Sequence, residues 1–128
     1  MIVNYVSMKP YSGNRPWADL VLNPASGKSP TLKCLVDTGA DYMQVNEIDA
    51  VAAGISLAGG VPISVTTVAG MAQLKLVCGI QVSIEGSTPK TVDLLVDTTN
   101  CTKPLIAGRQ ILLAAFDLGF NVTEWLRT

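Results

Sequence analysis

The chain alternates short runs of apolar residues with clusters of glycine, proline, asparagine and serine along most of its length. The first run covers residues 17–22 and is followed by the turn-forming stretch 23–28, Asn-Pro-Ala-Ser-Gly-Lys. A second run covers residues 31–36, and a shorter one covers residues 42–45. Apolar runs of this length between turn residues are typical of β-strands, so this part of the chain predicts three strands.

The same pattern continues in the second half, where it predicts two hairpins. The arms of the first hairpin meet around Ala69 and Gly70, and those of the second meet at the turn 85–89. A short apolar segment and a final strand follow the second hairpin. The predicted segments are residues 61–68, 71–77, 79–84, 91–96, 105–107 and 122–126.

Two segments carry helix signals instead. Residues 46–53 begin with Asn46, a good N-cap, carry acidic residues in the first turn, and end before Gly54, a good stop. Residues 108–115 favour a second short helix. Many short strands with little helix predict a mainly antiparallel β fold, either closed or built as a sandwich.

The composition fits one folded domain spanning residues 1–128. Hydrophobic residues make up 48% of the chain, which is typical of a globular protein with a real core. The net charge is −1 and the basic residues are scattered, so we expect neither nucleic acid nor an anionic membrane as a partner. No signal-peptide pattern and no apolar run of about 20 residues is found, which predicts no membrane span.

The cysteines point to a reducing environment. Cys34, Cys78 and Cys101 form no closely spaced pair and leave an odd thiol. We therefore expect free thiols rather than disulfides, which favours a cytoplasmic or other reducing location.

The chain contains no histidine, and this absence limits its chemistry. Nucleophilic machinery of the Ser-His or Cys-His type is excluded, as are zinc sites that need imidazole. We therefore expect no metal and no other cofactor. Any catalysis has to come from carboxylates, lysine, tyrosine or a hydroxyl group.

Asp37 is the carboxylate with the most informative surroundings. The apolar strand before it delivers the acid into a tight turn, where Thr38 adds a hydroxyl and Gly39 allows close approach of the backbone. A carboxylate at the end of a buried strand is costly unless it is hydrogen-bonded or paired. On these residues alone, an ordinary turn cap explains Asp37 at least as well as a catalytic role does.

The wider context favours catalysis through a resemblance to a known family. Residues 35–41, Leu-Val-Asp-Thr-Gly-Ala-Asp, resemble the catalytic signature of retropepsins, the single-domain relatives of pepsin. Residues 105–109, Leu-Ile-Ala-Gly-Arg, resemble the second signature of that family. Between them, the glycine-tipped hairpin 66–72 stands where retropepsins carry their flap. The resemblance extends from about residue 15 to residue 120, with features of both retroviral and bacterial members.

The resemblance implies a fold and an activity. The fold would be a closed antiparallel β-barrel of the retropepsin (acid protease) type with one or two short helices. The activity would be peptide-bond hydrolysis by a water molecule activated between two Asp37 carboxylates. Because one chain carries one Asp-Thr-Gly sequence, the second carboxylate would come from the other subunit of a homodimer. The substrate would be a polypeptide bound as an extended strand.

Further roles follow from the same resemblance. Thr38 would lock the two catalytic loops together, Gly39 would offer its carbonyl to the substrate, and Asp41 would hold Arg109 in an ion pair. Substrate contacts are implied for Ala40, Asp41, Val68, Ala69, Gly70, Met71, Ile106 and Ala107, and structural roles for Gly108, Arg109 and Arg15. The plainer alternatives are a surface salt bridge, an exposed hairpin, and buried core for Ile106 and Ala107.

Three other hypotheses remain open at this point. Asp97, in Leu-Val-Asp-Thr-Thr at residues 95–99, is a rival for a second catalytic turn within the same chain, although it lacks the glycine. The chain is alternatively a dimerisation or peptide-binding module that keeps the fold without turnover. A small β-barrel binding protein of unrelated function is the third possibility.

Overall fold

The computed structural model of the protein describes residues 6–10, 16–67, 70–99, 105–115, 118–120 and 124–127. These residues form ten strands, two short helices and one 3₁₀ turn. The strands are β1 (Val6–Pro10), β2 (Trp17–Leu22), β3 (Leu32–Val36), β4 (Met43–Asn46), β5 (Val61–Thr67), β6 (Gly70–Ile84), β7 (Lys90–Asp97), β8 (Leu105–Ala107), β9 (Leu118–Phe120) and β10 (Glu124–Arg127). The helices are α1 (Glu47–Ala52) and α2 (Arg109–Ala115), and the 3₁₀ turn is Pro24–Ser26. The predicted mainly β fold with two short helices is confirmed.

Six strands close into a ring. The main sheet has the order β2-β3-β8-β4-β7-β6-β5, and β2 also pairs with β6, which joins the two sides. Strand β5 lies outside the ring as the second arm of a hairpin with β6. Most ladders are antiparallel, but β3 pairs with β8 and β4 pairs with β7 in parallel. Parallel pairing needs a long crossover, and long stretches of chain separate the strands of both pairs.

The hydrophobic core is formed by the inward-facing positions of the strands together with one side of each helix. In β2 the buried and half-buried residues alternate, as expected for a strand with one face on the core. The helices add Ala50 from α1, and Ile111 and Leu112 from α2. The largest fully buried side chains are Leu20, Leu22, Met43, Val45, Val82, Ile84, Val92, Leu94, Val96, Ile111 and Leu112.

Strand β6 is longer than the sequence predicts. The segments 71–77 and 79–84 were expected to belong to separate hairpins, but they are one continuous strand. Its ladder with β7 shifts register between Val77 and Ile80, and Gly79 in this bulge has a φ of +75°. A bulge with a positive φ uses the same residue type as a turn, which is why the sequence suggests a break here.

Helix α1 begins as its sequence predicts. The side-chain oxygen of Asn46 accepts a hydrogen bond from the backbone N–H of Asp49 at 2.8 Å. The Asn46 amide also donates to the Asp49 carboxylate at 2.9 Å. After the C-cap Ala53, Gly54 has a φ of +79°, a conformation that glycine adopts without strain. The short helix is therefore fixed at both ends by local interactions.

A second, smaller sheet combines both ends of the chain. Its order is β1-β10-β9, with both ladders antiparallel. The predicted final strand, 122–126, corresponds to β10 at Glu124–Arg127, whereas β1 and β9 were not predicted. None of the helices in the described ranges is long and apolar enough to cross a membrane.

Helix α2 allows a direct test of the core. Ile111 is fully buried, and replacing it with alanine removes apolar contacts and leaves a cavity, so the free energy of unfolding should fall by about 2–5 kcal/mol. Leu113 in the same helix is 64% exposed, and Leu113→Ala should change stability by less than about 0.5 kcal/mol. Urea denaturation at one protein concentration measures both variants. Equal losses would contradict this description of the helix.

Candidate active site

Asp37 follows directly on β3, and two neighbouring segments hold the end of that strand. The N–H of Val36 donates to the carbonyl oxygen of Pro16 at 2.9 Å, and the N–H of Asp37 donates to that of Ala107 at 3.0 Å. The second bond continues the parallel β3–β8 ladder by one residue. The backbone of Asp37 is therefore fixed by β8, while its side chain is half-buried at the surface of the ring.

The Asp-Thr-Gly turn also orients the carboxylate. One carboxylate oxygen of Asp37 accepts a hydrogen bond from the backbone N–H of Gly39 at 2.9 Å. The backbone carbonyl oxygen of Asp37 accepts one from the N–H of Ala40 at 3.2 Å. A Cβ atom on residue 39 would lie only 3.1 Å from that carboxylate oxygen. Thr38 and Gly39 are exposed. The turn thus presents a held carboxylate beside an exposed hydroxyl and an exposed backbone segment.

The junction between β8 and α2 packs behind this turn. The N–H of Arg109 donates to the carbonyl oxygen of Ala40 at 2.8 Å, and the N–H of Gln110 donates to that of Asp41 at 3.1 Å. A Cβ atom at the buried Gly108 would lie 2.8 Å from the Ala40 oxygen and closer still to the Tyr42 oxygen. No side chain fits there, so Gly108 is what lets the two segments approach. The first N–H groups of a helix have no acceptor within the helix, and in α2 those of Arg109 and Gln110 donate to the Asp37 loop instead.

An ion pair spans the same junction. The guanidinium of Arg109 contacts a carboxylate oxygen of Asp41. The two side chains are 50% and 69% exposed, so the pair contributes less than about 1 kcal/mol to stability. Arg15, for which the resemblance implies a structural role, lies outside the described residues.

The two apolar residues of the second signature have different surroundings. Ile106 is half-buried, whereas Ala107 is fully buried in the core cluster. The structure therefore favours the core role for the Ala107 side chain, and its carbonyl oxygen is the group that holds Asp37. The sequence motif does not reveal the hydrogen bond of this carbonyl oxygen, because every residue has the same backbone carbonyl group.

The β5–β6 hairpin carries the residues predicted to form a flap. Gly70 and Met71 begin β6, and Met71 pairs with Thr66 and is 64% exposed. Gly70 has a φ of +117°. Val68 and Ala69 lie outside the described residues. The described part of the hairpin is thus a two-stranded arm with an exposed methionine next to its tip.

The strand register separates Asp97 from Asp37. A row of paired residues crosses four strands at Leu35, Ile106, Gln44 and Leu95. Asp37 lies beyond this row at one edge, and Asp97 lies beyond it at the opposite edge, because β3 and β7 run in opposite directions. The two acids therefore stand at opposite edges of this row, and Asp97 is buried whereas Asp37 is half-buried.

The described thiols are poor nucleophiles. Cys34 is fully buried. The Cys78 side chain is exposed, yet desolvation by neighbouring atoms and then the Asp93 carboxylate beside it raise the pKa of the Cys78 thiol. A thiol with a raised pKa stays protonated at neutral pH and reacts slowly. Cys101 lies outside the described residues.

Among the described residues, no group of three or more potential ligands is arranged to hold a metal ion. A cavity of about 250 Å³ lies against β2 and the β6–β7 turn, with Asp19, Ser83 and Glu85 among its lining residues. In the β2–β3 ladder Asp19 lies opposite Lys33, near the start of β3, whereas Asp37 follows the end of that strand. The cavity is not lined by residues of the Asp37 turn.

The fold and the turn define the class of this protein. A ring of short strands that presents Asp-Thr-Gly at the end of one strand, backed by a glycine and a short helix, is the arrangement of a retropepsin-like domain. A family model described as Aspartyl protease matches residues 25–111, which is more than half of the chain. The chain belongs to this aspartyl protease family and is of the retropepsin-like type. No curated protein matches the sequence.

The close packing at Gly108 predicts a strong effect of a single methyl group. Gly108→Ala should lower the free energy of unfolding by about 2–4 kcal/mol, because the added Cβ displaces the carbonyl groups of the Asp37 loop. Gly59→Ala is the matched control, since a Cβ there meets no atom within 4 Å. Thermal and urea unfolding of both variants measure the difference. A Gly108→Ala variant as stable as Gly59→Ala would contradict the described packing.

Proposed function

We propose that this protein is an aspartic endopeptidase that acts as a homodimer. The observation that carries the proposal is the Asp37 turn, in which a backbone N–H orients a half-buried carboxylate beside exposed Thr38 and Gly39. The family match supports the protease class. Asp97 is buried and stands at the opposite edge of the strand row, so the proposal takes the second carboxylate from a second copy of the chain.

In the proposed mechanism two Asp37 side chains face each other across a two-fold axis. Two carboxylates this close do not both ionise easily, so they share one proton. The ionised carboxylate takes a proton from a water molecule, and the oxygen of that water attacks the peptide carbonyl carbon. The protonated carboxyl donates to the carbonyl oxygen and forms a tetrahedral intermediate. Its collapse transfers a proton to the leaving amine and breaks the C–N bond, without a covalent enzyme intermediate.

The substrate is proposed to be a polypeptide segment bound in an extended conformation. An extended strand offers backbone groups to a protein edge and side chains to alternating pockets. The exposed backbone of Gly39 is suited to contact the segment from the catalytic side, and Ala40 and Ile106 to line the adjacent wall. Gly70 and the exposed Met71 are suited to contact it from the hairpin.

The homodimer is proposed to join at the catalytic loops. Thr38 is exposed directly after Asp37, so its hydroxyl is available to a partner loop. A reciprocal pair of such bonds keeps the two carboxylates at a fixed distance. Asp41 and Arg109 stabilise the base of each loop rather than the contact itself.

Replacement of the carboxylate tests the catalytic role. Asp37→Asn keeps an oxygen that accepts the Gly39 N–H but removes the ionisable group, so cleavage should fall by at least about 10³-fold while the fold and dimer persist. Glu47→Gln, an amide substitution of another half-buried acid in α1, should retain full cleavage. Cleavage of a quenched peptide library and circular dichroism measure both properties. Full activity of Asp37→Asn would overturn the mechanism.

The pH dependence tests the class of catalyst. Cleavage of casein between about pH 3 and pH 8 should be fastest below neutrality, because the shared proton of the pair is lost as pH rises. Pepstatin resembles the tetrahedral intermediate and should inhibit the reaction. An intact dimer that cleaves nothing over this range would favour a peptide-binding module with the same fold.

A further inference from the structure

The sequence Leu-Val-Asp-Thr occurs twice in this chain, at residues 35–38 and 95–98. Both copies end a strand that has a parallel neighbour, β8 for the first and β4 for the second. In both, a carboxylate oxygen accepts the backbone N–H two residues further on at 2.9 Å, from Gly39 and from Thr99. The two turns therefore share one local geometry but stand at opposite ends of the strand row.

The second turn differs in burial and in its partners. Asp97 is only 2% exposed. The carboxylate oxygen that accepts the Thr99 N–H also accepts the Thr99 hydroxyl at 2.9 Å. A buried carboxylate is costly without such donors, so these bonds fix both the side chain and the turn. The turn also contacts a second segment of the chain.

That segment is the stem of the β5–β6 hairpin. The N–H and the hydroxyl of Thr98 both lie within hydrogen-bond distance of the carbonyl oxygen of Gln73, at 3.4 Å and 3.3 Å. Gln73 pairs with Ser64 across the hairpin, and the Ser64 hydroxyl donates to the Gln73 side chain at 3.0 Å. The turn therefore contacts the hairpin at a level where its two arms are joined to each other.

This level is also where the hairpin leaves the ring. The β6–β7 ladder ends at the pair Leu74 and Asp97, and Gln73 is the next residue toward the hairpin tip. Beyond it, the residues from Ala72 to Gly70 pair with β5, which is itself an outer strand. The Thr98–Gln73 bond therefore lies one residue beyond the last pair of the β6–β7 ladder.

We infer that Asp97 is a positioning residue that fixes the pivot of the hairpin. By holding the turn, Asp97 places Thr98 against Gln73 and so fixes the stem of the hairpin at this level. In the proposed protease, the placement of Gly70 and Met71 against a bound peptide would follow from that level. The structural part of this inference is independent of catalysis, whereas its consequence for substrate binding depends on the proposed protease function.

Hydrogen exchange tests the structural part without any activity. Thr98→Val removes the hydroxyl donor and should accelerate amide exchange of residues 70–74 by about three- to ten-fold, the effect of one lost hydrogen bond. Thr91→Val is the matched control, because Thr91 bonds Gln81 across the same ladder at the end remote from the hairpin tip. In Thr91→Val the exchange of residues 70–74 should be unchanged. Unchanged exchange in Thr98→Val would overturn the inference.

Substitution of Asp97 itself tests the origin of the effect. Asp97→Asn keeps an oxygen that accepts the Thr99 donors, so the amide exchange rate of residues 70–74 should stay within about two-fold of the wild type. In Asp97→Ala this exchange rate should be higher than in Thr98→Val. Equal acceleration in Asp97→Asn and Asp97→Ala would overturn the role of this bonding. If Asp97→Ala does not fold, the Thr98→Val result decides the inference.

Peptide kinetics test the consequence for binding. Thr98→Val should raise KM about three- to ten-fold and leave kcat within about two-fold, because the hairpin is less well placed to bind substrate while Asp37 is untouched. A drop in kcat at constant KM would overturn the binding consequence. If the wild type cleaves no peptide, the protease proposal fails, yet the exchange experiment still decides whether the pivot exists.

Discussion

The contact between the Asp37 loop and the β8–α2 junction is the constraint on which the site depends. Asp37 donates its N–H to Ala107, and Arg109 donates its N–H to Ala40, so the two segments exchange hydrogen bonds. Gly108 lies between these bonds, and the packing around it leaves no room for a side chain at this position. The carboxylate is therefore positioned by backbone groups of a segment almost 70 residues away in the chain. Such contacts cost no side-chain entropy, which suits a site that has to stay rigid.

The same strand-and-turn unit stands in two different environments in one chain. At Asp37 the residue two positions on is Gly39, Thr38 and Gly39 are exposed, and the Asp37 side chain is half-buried. At Asp97 the corresponding residue is Thr99, whose hydroxyl closes over the carboxylate oxygen and accompanies its burial. One change of residue type thus accompanies the change from a half-buried carboxylate to a buried one. The shared Leu-Val-Asp-Thr sequence does not distinguish these roles, whereas burial does.

Local signals made much of the fold predictable. Strand β2 has the predicted bounds, and Asn46 caps α1 as its sequence indicates. The long β6 was wrongly divided because Gly79 in a bulge resembles a turn residue. Strand β9 has only three residues, and β1 lies in a segment with weak periodicity, so neither gave a clear signal.

The candidate site was only partly predictable for a different reason. Asp37, Gly39 and Gly108 stand in recognisable motifs, so their positions follow from the sequence. The carbonyl groups of Pro16, Ala107 and Ala40 accept from the N–H groups of Val36, Asp37 and Arg109, and carbonyl groups are the same in every residue. The contact of Thr98 with Gln73 likewise depends on strand register, which no short motif encodes.

Cleavage by mixtures of wild-type chain and Asp37→Asn chain tests the central claim, that two Asp37 side chains form one site. The two chains are unfolded together, refolded at one total concentration and assayed at several mixing ratios. If both carboxylates are needed, mixed dimers are inactive and cleavage follows the square of the wild-type fraction, leaving about one quarter at an equal mixture. Cleavage proportional to the wild-type fraction, leaving about one half, would show that a single chain carries a complete site and would contradict the account.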